Sequence, residues 1–307
     1  MTRRRHSRTR RLFAGLVLAG CTVAACSGGG GRTPPPNASS NSKAPPTDVK
    51  PSDTPACRSG HNACVDETLG EMQRRVDRLA AACDHDAVFA LTYLDITKEY
   101  RRMIRDPAAF EDLVYANHLD ALFARFYFRA FDSYSKGVVD VVPPAWRIAF
   151  DQSAAGRISS LGDALLGINA HINRDLPFVL DQLGIVGPDG RNRKNDFETV
   201  DIVFGRAFVP MLREAGDLFD PTLAEPKLGG QRLDVKAALA LVRDWRDAAF
   251  RNAERLRSAP TAQARRAITA EIESNAAVLA RTLQLATTYP PSESSASRDT
   301  YCASHRA

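Results

Sequence analysis

The sequence lacks the short motifs that identify several common classes of enzyme. No serine lies in a Gly-x-Ser-x-Gly motif, so the nucleophile elbow of serine hydrolases is missing. No glycine-rich loop precedes a helix, since the glycines at 28–31 lead into a polar segment instead. No long window alternates apolar and polar residues with a period of two, as half-buried strands do. The lack of period-two alternation favours a mainly helical chain, and the missing motifs leave its reaction, if any, unspecified.

The excess of positive charge is confined to the start of the chain. The 307 residues contain 41 Lys and Arg against 36 Asp and Glu, a formal net charge of +5. Six arginines and no acidic residue lie within residues 1–25, so the rest of the chain has 35 basic and 36 acidic residues. Because that part is close to neutral, nothing in its charge suggests a nucleic acid partner.

The first 25 residues have the organisation of an export signal. Arginine-rich residues 1–11 precede an apolar run at 12–25 of about 14 residues, which is shorter than the roughly 20 that a membrane-spanning helix needs. The pair Arg10-Arg11 ahead of this run resembles a twin-arginine motif, and ordinary Sec export is an equal alternative. We therefore predict that residues 1–25 are a signal peptide.

Two cysteines at the end of the apolar run each follow a sequence that resembles a bacterial lipobox. Leu-Ala-Gly precedes Cys21, and Val-Ala-Ala precedes Cys26. Cys26 is favoured because a polar Ser-Gly segment follows it, and because cleavage there leaves an even number of other cysteines. We predict a lipid on Cys26, with Cys21 as the alternative, that anchors the protein to the outer face of the cytoplasmic membrane. A cleaved signal without a lipid is the remaining alternative.

Polar segments border the predicted domain on both sides. Residues 26–56 are rich in Gly, Ser, Pro, Asn and Thr, and such a segment cannot bury enough apolar surface to offset its ordering entropy. We predict a disordered tether at 26–56, a folded domain at 57–289 and a flexible C-terminal tail at 290–307.

Four cysteines remain after cleavage at Cys26, and an exported protein lies where disulfides persist. They allow three pairings, among which the sequence does not decide. We favour Cys57–Cys64, which closes a short loop, together with Cys83–Cys302, which fixes the tail. A zinc site is disfavoured because no Cys-x-x-Cys pair is present.

Apolar residues recur at spacings of three and four throughout the domain, which predicts an all-α fold. We expect a single bundle-like domain of about seven or eight helices. Pro177 is expected to kink or end one helix, and Asp196 is expected to be the N-cap of the next. The clearest helical patterns cover residues 69–83, 89–103, 110–134, 159–183, 196–215, 235–256 and 268–286.

Two of these helices contain amides, imidazoles and carboxylates among their apolar residues. His171 and Asp175 are four residues apart and share a helix face, as do Asn169 and Asn173. The candidate polar cluster consists of Asn117, His118, Asp120, Asn169, His171, Asn173, Asp175 and Asp196.

Two hypotheses account for this cluster. In the first, His118, His171 and Asp175 bind a divalent metal such as Zn²⁺ or Fe²⁺ and activate a water molecule. In the second, the side chains form a buried network that satisfies its own hydrogen bonds. The network is favoured, because His118 and Asp120 are two residues apart and lie on different sides of one helix, and because no His-Glu-x-x-His motif occurs.

Several segments resemble an uncharacterised, mainly actinomycete family that is known only as a domain of unknown function. The resemblance extends over about 80–290, and its longest block is Asn-Ala-His-Ile-Asn-Arg-Asp-Leu-Pro at 169–177. It implies a helical domain in one piece and transfers no activity. The other segments are 89–93, 117–124, 144–150 and 165–168.

These observations predict a lipid-anchored envelope protein whose biochemical function they do not specify. The favoured hypothesis is a non-catalytic domain that binds a partner or ligand, of a kind that the sequence does not identify. The alternative is a metal-dependent hydrolase that cleaves an envelope ester or phosphoester with the His/Asp cluster. The sequence does not decide whether the protein is an enzyme.

Overall fold

The computed structural model describes residues 45–228 and 230–305, which belong to one compact unit at 42–307. Apart from one short hairpin, the regular structure of these residues is helical, so the prediction of a single all-α domain is confirmed. The predicted signal peptide and both candidate lipidation sites, Cys26 and Cys21, lie outside the described residues.

The N-terminal half begins with a short helix and three long ones. Asp112 caps the fourth of them, since its carboxylate accepts a hydrogen bond from the Tyr115 N–H at 2.9 Å. This helix therefore begins three residues later than the apolar pattern predicts. The four helices are α1 (Pro55–Ser59), α2 (Asn62–Ala81), α3 (Ala87–Met103) and α4 (Leu113–Ser135).

The segment around Pro177 differs from the prediction of a kink or an end. The helix continues through it, but residues Ala170–Asp175 form a π-helical segment in which the N–H of Leu176 donates to the carbonyl of His171. Pro177 has no N–H and would clash with the carbonyl of Asn173 in a regular α-helix. The wider π turn relieves this clash without breaking the helix. The surrounding helices are α5 (Pro144–Ala154), α6 (Ser160–Asn169) and α7 (Leu176–Leu183).

Asp196 is not the N-cap of a long helix. It lies in the first turn of a separate short helix, α8, and its carboxylate accepts hydrogen bonds from the N–H groups of Glu111 and Asp112 at 2.7 and 2.9 Å. The remaining elements are α8 (Lys194–Thr199), α9 (Asp201–Leu218), β1 (Lys227–Leu228), β2 (Gln231–Arg232), α10 (Val235–Arg257), α11 (Ala262–Thr287) and α12 (Ala296–His305). Single 3₁₀ turns occur at Val139–Val141 and Pro221–Ala224.

The predicted tether extends too far toward the domain. Residues 45–54 pack on the helices, and Val49 is buried with its backbone N–H and C=O bonded to the side chain of Gln182. The carbonyl of Pro46 also accepts a hydrogen bond from Arg174 at 2.6 Å. Long-range contacts of this kind order a segment whose own composition is that of a loop.

The prediction of a flexible C-terminal tail is wrong, because residues Ala296–His305 form α12. A disulfide joins Cys302 to Cys83, and a second one joins Cys57 to Cys64, which is the pairing that we favour from the sequence. Arg298 of α12 forms a buried ion pair with Asp163 at 2.7 Å. The covalent bond and the ion pair hold α12 on the domain.

Helix α3 lies at the centre of the core, and its first nine residues, 87–95, are all buried. It packs against α2, α6 and α9, while the π segment contacts α4, α5, α10 and α11. Within the part of the chain that the structure describes, none of the helices combines the length and the apolar character that crossing a membrane requires.

Candidate functional site

A cavity of about 80 Å³ lies between α3, α4, the α6–π–α7 segment, α9 and α10. Most of its wall is apolar and aromatic. Ile96, Phe123, Val200 and Phe204 are only partly buried, so we place the opening to solvent on their side. The other lining residues are Phe89, Thr92, Tyr93, Thr97, Tyr100, Tyr115, Ala116, Leu119, Asp120, Ile168, His171, Ile172, Leu176, Asp196, Val203 and Arg246.

Five polar atoms in this wall are buried and have no hydrogen-bond partner among the described residues. Buried polar groups are nearly always paired, so a set of five in one cavity indicates a site built to bind polar atoms of a ligand. They are the Tyr93 hydroxyl, the Thr97 hydroxyl, the Tyr115 hydroxyl, Asp120 Oδ2 and His171 Nε2.

The His171 ring is held in a fixed orientation by a carboxylate one helical turn away. Its Nδ1 lies 3.1 Å from Oδ2 of Asp175, so in the neutral ring Nδ1–H donates and Nε2 keeps its lone pair. Burial lowers the pKa of His171, although the Asp175 charge opposes this shift. A neutral imidazole with a free Nε2 can accept a hydrogen bond or a proton from a molecule in the cavity.

Asp175 is itself fixed by two further donors. The indole N–H of Trp146 donates to Oδ2 at 2.8 Å, and Nη1 of Arg174 donates to Oδ1 at 3.0 Å. Trp146, Arg174 and Asp175 are all almost completely inaccessible to solvent. This second layer of hydrogen bonds leaves Asp175 little freedom to move away from His171.

Aromatic rings enclose the imidazole on two sides. Phe123 stacks on it with a centroid distance of 3.4 Å and an interplanar angle of 3°. Tyr93 meets it edge-to-face at 4.5 Å. The ring is therefore prevented from rotating away from the cavity, and Tyr93 brings its hydroxyl into the same region.

Asp120 lies on α4, one helical turn before Phe123. The residue as a whole is partly buried, whereas its Oδ2 atom is enclosed. Burial among apolar side chains raises the pKa of its carboxyl from 3.8 to about 7. Near neutral pH a large share of the molecules therefore carry a protonated Asp120, which can donate a hydrogen bond.

This shift predicts that the protein loses stability as the pH rises from about 4 to about 7. In that interval the folded state retains a proton on Asp120 that the unfolded chain has released, so raising the pH favours unfolding. Asp120→Asn removes the titration, and we expect the decline between about pH 5 and about pH 8 to shrink by about 2–3 kcal/mol. Urea unfolding at both pH values measures the difference.

The exposed Asp77 on α2 provides the control for this measurement. Asp77→Asn is expected to retain the full decline. Part of the decline persists in every variant, because burial also raises the pKa of Asp163, to about 6. An Asp120→Asn protein with the same pH dependence as the unmodified protein would contradict the assignment.

Several residues of the predicted cluster lie elsewhere and have structural roles. Asn117 bonds to Gly60 O and Asn62 Oδ1 and accepts from the Tyr100 hydroxyl, at 2.8–3.0 Å. His118 Nε2 lies 2.6 Å from the carbonyl of Cys57. Asn169 and Asn173 bond to each other, and Asn169 also donates to the carbonyl of Ala276. Of the predicted cluster, Asp120, His171 and Asp196 line the cavity, and Asp175 bonds to His171. The oxygens of Asp196 accept hydrogen bonds from backbone N–H groups.

The metal hypothesis finds no support in this arrangement. Among the residues that the structure describes, no group of three or more His, Cys, Asp or Glu side chains is placed to hold a metal ion. His118 is directed at the Cys57 carbonyl, and both oxygens of Asp175 are occupied by donors from the protein. The proposed set His118, His171 and Asp175 therefore does not converge.

Sequence reasoning missed the hydroxyl groups of the cavity. Tyr93 and Thr97 are four residues apart on α3, and Tyr115 lies on α4. Aromatic residues at helical spacing usually belong to the core, so the spacing alone does not distinguish a cavity-lining tyrosine from a core residue. The usable signal is a tyrosine followed four residues later by a threonine, because each places a polar tip on an otherwise apolar face.

Comparison with known proteins gives a family and no activity. The model of a family of unknown function, DUF5995, matches residues 65–286. No curated protein matches the chain, and no solved structure does either. The resemblance inferred from the sequence is therefore confirmed, and the chain belongs to the family of unknown function DUF5995.

Proposed function

We propose that the protein is an exported, lipid-anchored binding protein whose helical domain takes up a small, mainly apolar molecule with one polar group. One observation carries this proposal: an apolar cavity contains five buried polar atoms that have no hydrogen-bond partner within residues 45–228 and 230–305. Binding pockets for small molecules commonly combine apolar walls with a few placed polar groups.

The cavity also limits the size and polarity of its ligand. A volume of about 80 Å³ corresponds to about five to eight water-sized positions. The tyrosine hydroxyls and the protonated Asp120 are donors, and His171 Nε2 is an acceptor. A hydroxyl or carbonyl oxygen on a small ring or a short branched chain meets these requirements.

The location of the protein in the cell envelope is proposed from its N-terminal sequence. Residues 1–25 act as the signal peptide, and a lipid on Cys26, or on Cys21, anchors the mature protein in the membrane. The two disulfides among the described residues are consistent with an oxidising compartment. Mass spectrometry of the mature N-terminal peptide tests this part, and an N-terminus without lipid would contradict it.

Phenol and toluene form a matched pair of probes for the cavity, because each has seven non-hydrogen atoms and only phenol has a hydroxyl. We expect phenol to bind at millimolar concentration and to raise the melting temperature, and toluene to bind more weakly because it leaves the polar atoms unpaired. Titration calorimetry and thermal unfolding measure both effects.

Two substitutions on α4 locate the binding site. Ala116 is buried in the cavity wall, and Ala116→Leu is expected to fill the cavity and abolish phenol binding. Val114 is exposed two residues earlier, so Val114→Leu is the control that retains binding. If neither probe binds the unmodified protein, or if phenol binds the Ala116→Leu protein equally well, the proposal fails.

A further inference from the structure

We infer that the cavity is an acid–base site for a small carbonyl compound, in which His171 removes a proton from the carbon next to the carbonyl and Asp120 protonates the carbonyl oxygen. This inference rests on the proposed function, since the compound must first bind in the cavity. It adds a reaction and a substrate class to that function.

The base is assigned to His171 because its surroundings prepare Nε2 for proton transfer. Asp175 accepts from Nδ1, which places the lone pair on Nε2 and stabilises the imidazolium that forms. Trp146 and Arg174 hold Asp175 in place without touching the cavity. They are positioning residues, whereas His171 faces the bound compound.

The acid is assigned to Asp120 because its enclosed Oδ2 lacks a partner among the described residues and lines the same cavity. The raised pKa of Asp120 and the lowered pKa of His171 support this pairing, since they allow a protonated acid and a neutral base to coexist near neutral pH.

Tyr93 connects the two ends of this arrangement. Burial raises the pKa of its hydroxyl well above the usual value, and the charges of Asp120 and Asp175 add to the shift. The Tyr93 hydroxyl therefore stays protonated and lies within electrostatic range of both carboxylates. Because this hydroxyl lines the same cavity and lacks a partner among the described residues, it is a second donor for the carbonyl oxygen.

The proposed step balances without a further reactant. The C–H bond next to the carbonyl breaks, its proton forms a new N–H bond at Nε2, and its electron pair forms a C=C bond. The carbonyl oxygen takes the proton of Asp120, which gives an enol, an imidazolium and a carboxylate. In the reverse step the imidazolium, whose N–H proton exchanges with solvent, returns a proton to the same carbon, and Asp120 regains the proton of the enol hydroxyl. The net result is exchange of the C–H proton with solvent.

The lining favours this reaction over hydrolysis. Among the described lining residues none is serine or cysteine, the side chains that most often attack a bound ester. Enolisation needs only the groups that are present and proceeds well in an apolar enclosure, where hydrogen bonds to the developing oxygen charge are strong.

Cyclohexanone is the probe that tests the inference, since it has seven non-hydrogen atoms and exchangeable protons beside its carbonyl. In D₂O near neutral pH, proton NMR follows the loss of these signals, and saturation-transfer NMR on the same sample reports binding. We expect the protein to accelerate exchange over buffer. His171→Gln is expected to reduce the protein-catalysed rate by at least about 100-fold while cyclohexanone still binds.

His118→Gln is the matched control, because His118 lies outside the cavity and is expected to leave exchange unchanged. Asp120→Asn supplies a second test that does not depend on the folding of the His171 variant. In the unmodified protein we expect the exchange rate to fall at high pH, because Asp120 loses the proton that it donates. Asp120→Asn should lower the exchange rate and remove this pH dependence. Binding of cyclohexanone without exchange above buffer, or exchange that survives both substitutions, would overturn the acid–base inference and leave the binding proposal standing. Failure of both phenol and cyclohexanone to bind would overturn both.

Discussion

Replacing Cys83 and Cys302 together by serine should lower the free energy of unfolding by about 5 kcal/mol. The disulfide joins residues that are 219 positions apart, so its loss greatly increases the conformational freedom of the unfolded chain. It also releases α12, whose Arg298 is the partner of the buried Asp163. Denaturant unfolding under non-reducing conditions measures the change.

The second disulfide supplies the comparison. Cys57 and Cys64 are only seven positions apart, and the same chain-entropy argument gives about 2.5 kcal/mol for replacing both by serine. We therefore expect the long-range disulfide to contribute clearly more than the local one. Equal losses for the two double variants would show that the stabilisation does not arise from the closed loop or from α12.

The long helices were predictable because their stabilising pattern is local. In α3 and α4 the apolar residues recur at helical spacing over several turns, and this periodicity can be recognised from the local sequence alone. The ends of the domain were not predictable in this way. Val49 bonds to Gln182, and Arg298 pairs with Asp163, in each case more than a hundred residues away along the chain. No local sequence pattern predicts such contacts.

The candidate site was predictable in part for the same reason. The four-residue spacing of His171 and Asp175 places them on one helix face, and the structure shows their hydrogen bond. His118 and Asp120 are two residues apart, so only one of them can face the cavity. That Asp120 is the one depends on how α4 packs against α3 and the π segment, which is tertiary information.

The π segment explains how the helix supplies a site at all. Its wider turn accommodates Pro177 and carries His171, Arg174 and Asp175 within six residues. π turns are frequent at functional sites, because the local change in register redirects side chains. The proline that sequence reasoning treats as a helix breaker is therefore part of the reason that the site residues lie where they do.

Replacing Arg174 by methionine should lower the free energy of unfolding by about 3–5 kcal/mol. Arg174 is fully buried, and its guanidinium bonds to Glu273, Asp175 and the carbonyl of Pro46. Burial alone would lower the pKa of Arg174, and Glu273 and Asp175 hold it above its usual value instead. Without the cation Glu273 loses its charge partner, and Asp175 retains only its hydrogen bonds to Trp146 and His171. Removing one member of a buried ion pair in this way is costly.

Arg255 offers a control of the same chemistry at the surface. It pairs with Glu271, which like Glu273 lies on α11, but both side chains are about half exposed. We expect Arg255→Met to cost less than about 1 kcal/mol. Urea unfolding of the two variants compares the pairs directly, and similar losses would contradict the role assigned to burial.

The stability that Arg174→Met removes has a contribution from charge and one from packing, and its pH dependence distinguishes the two. Burial already raises the pKa of Glu273, and removing the opposing Arg174 charge raises it further. Below that pKa the folded protein holds a proton that the unfolded chain has released, so the deficit shrinks as the pH is lowered through the raised pKa of Glu273. A deficit that does not change with pH would assign the loss of stability to packing.

Because Arg174 also fixes Asp175, the folded fraction of this variant is expected to lose the exchange reaction at His171 and to keep the cavity.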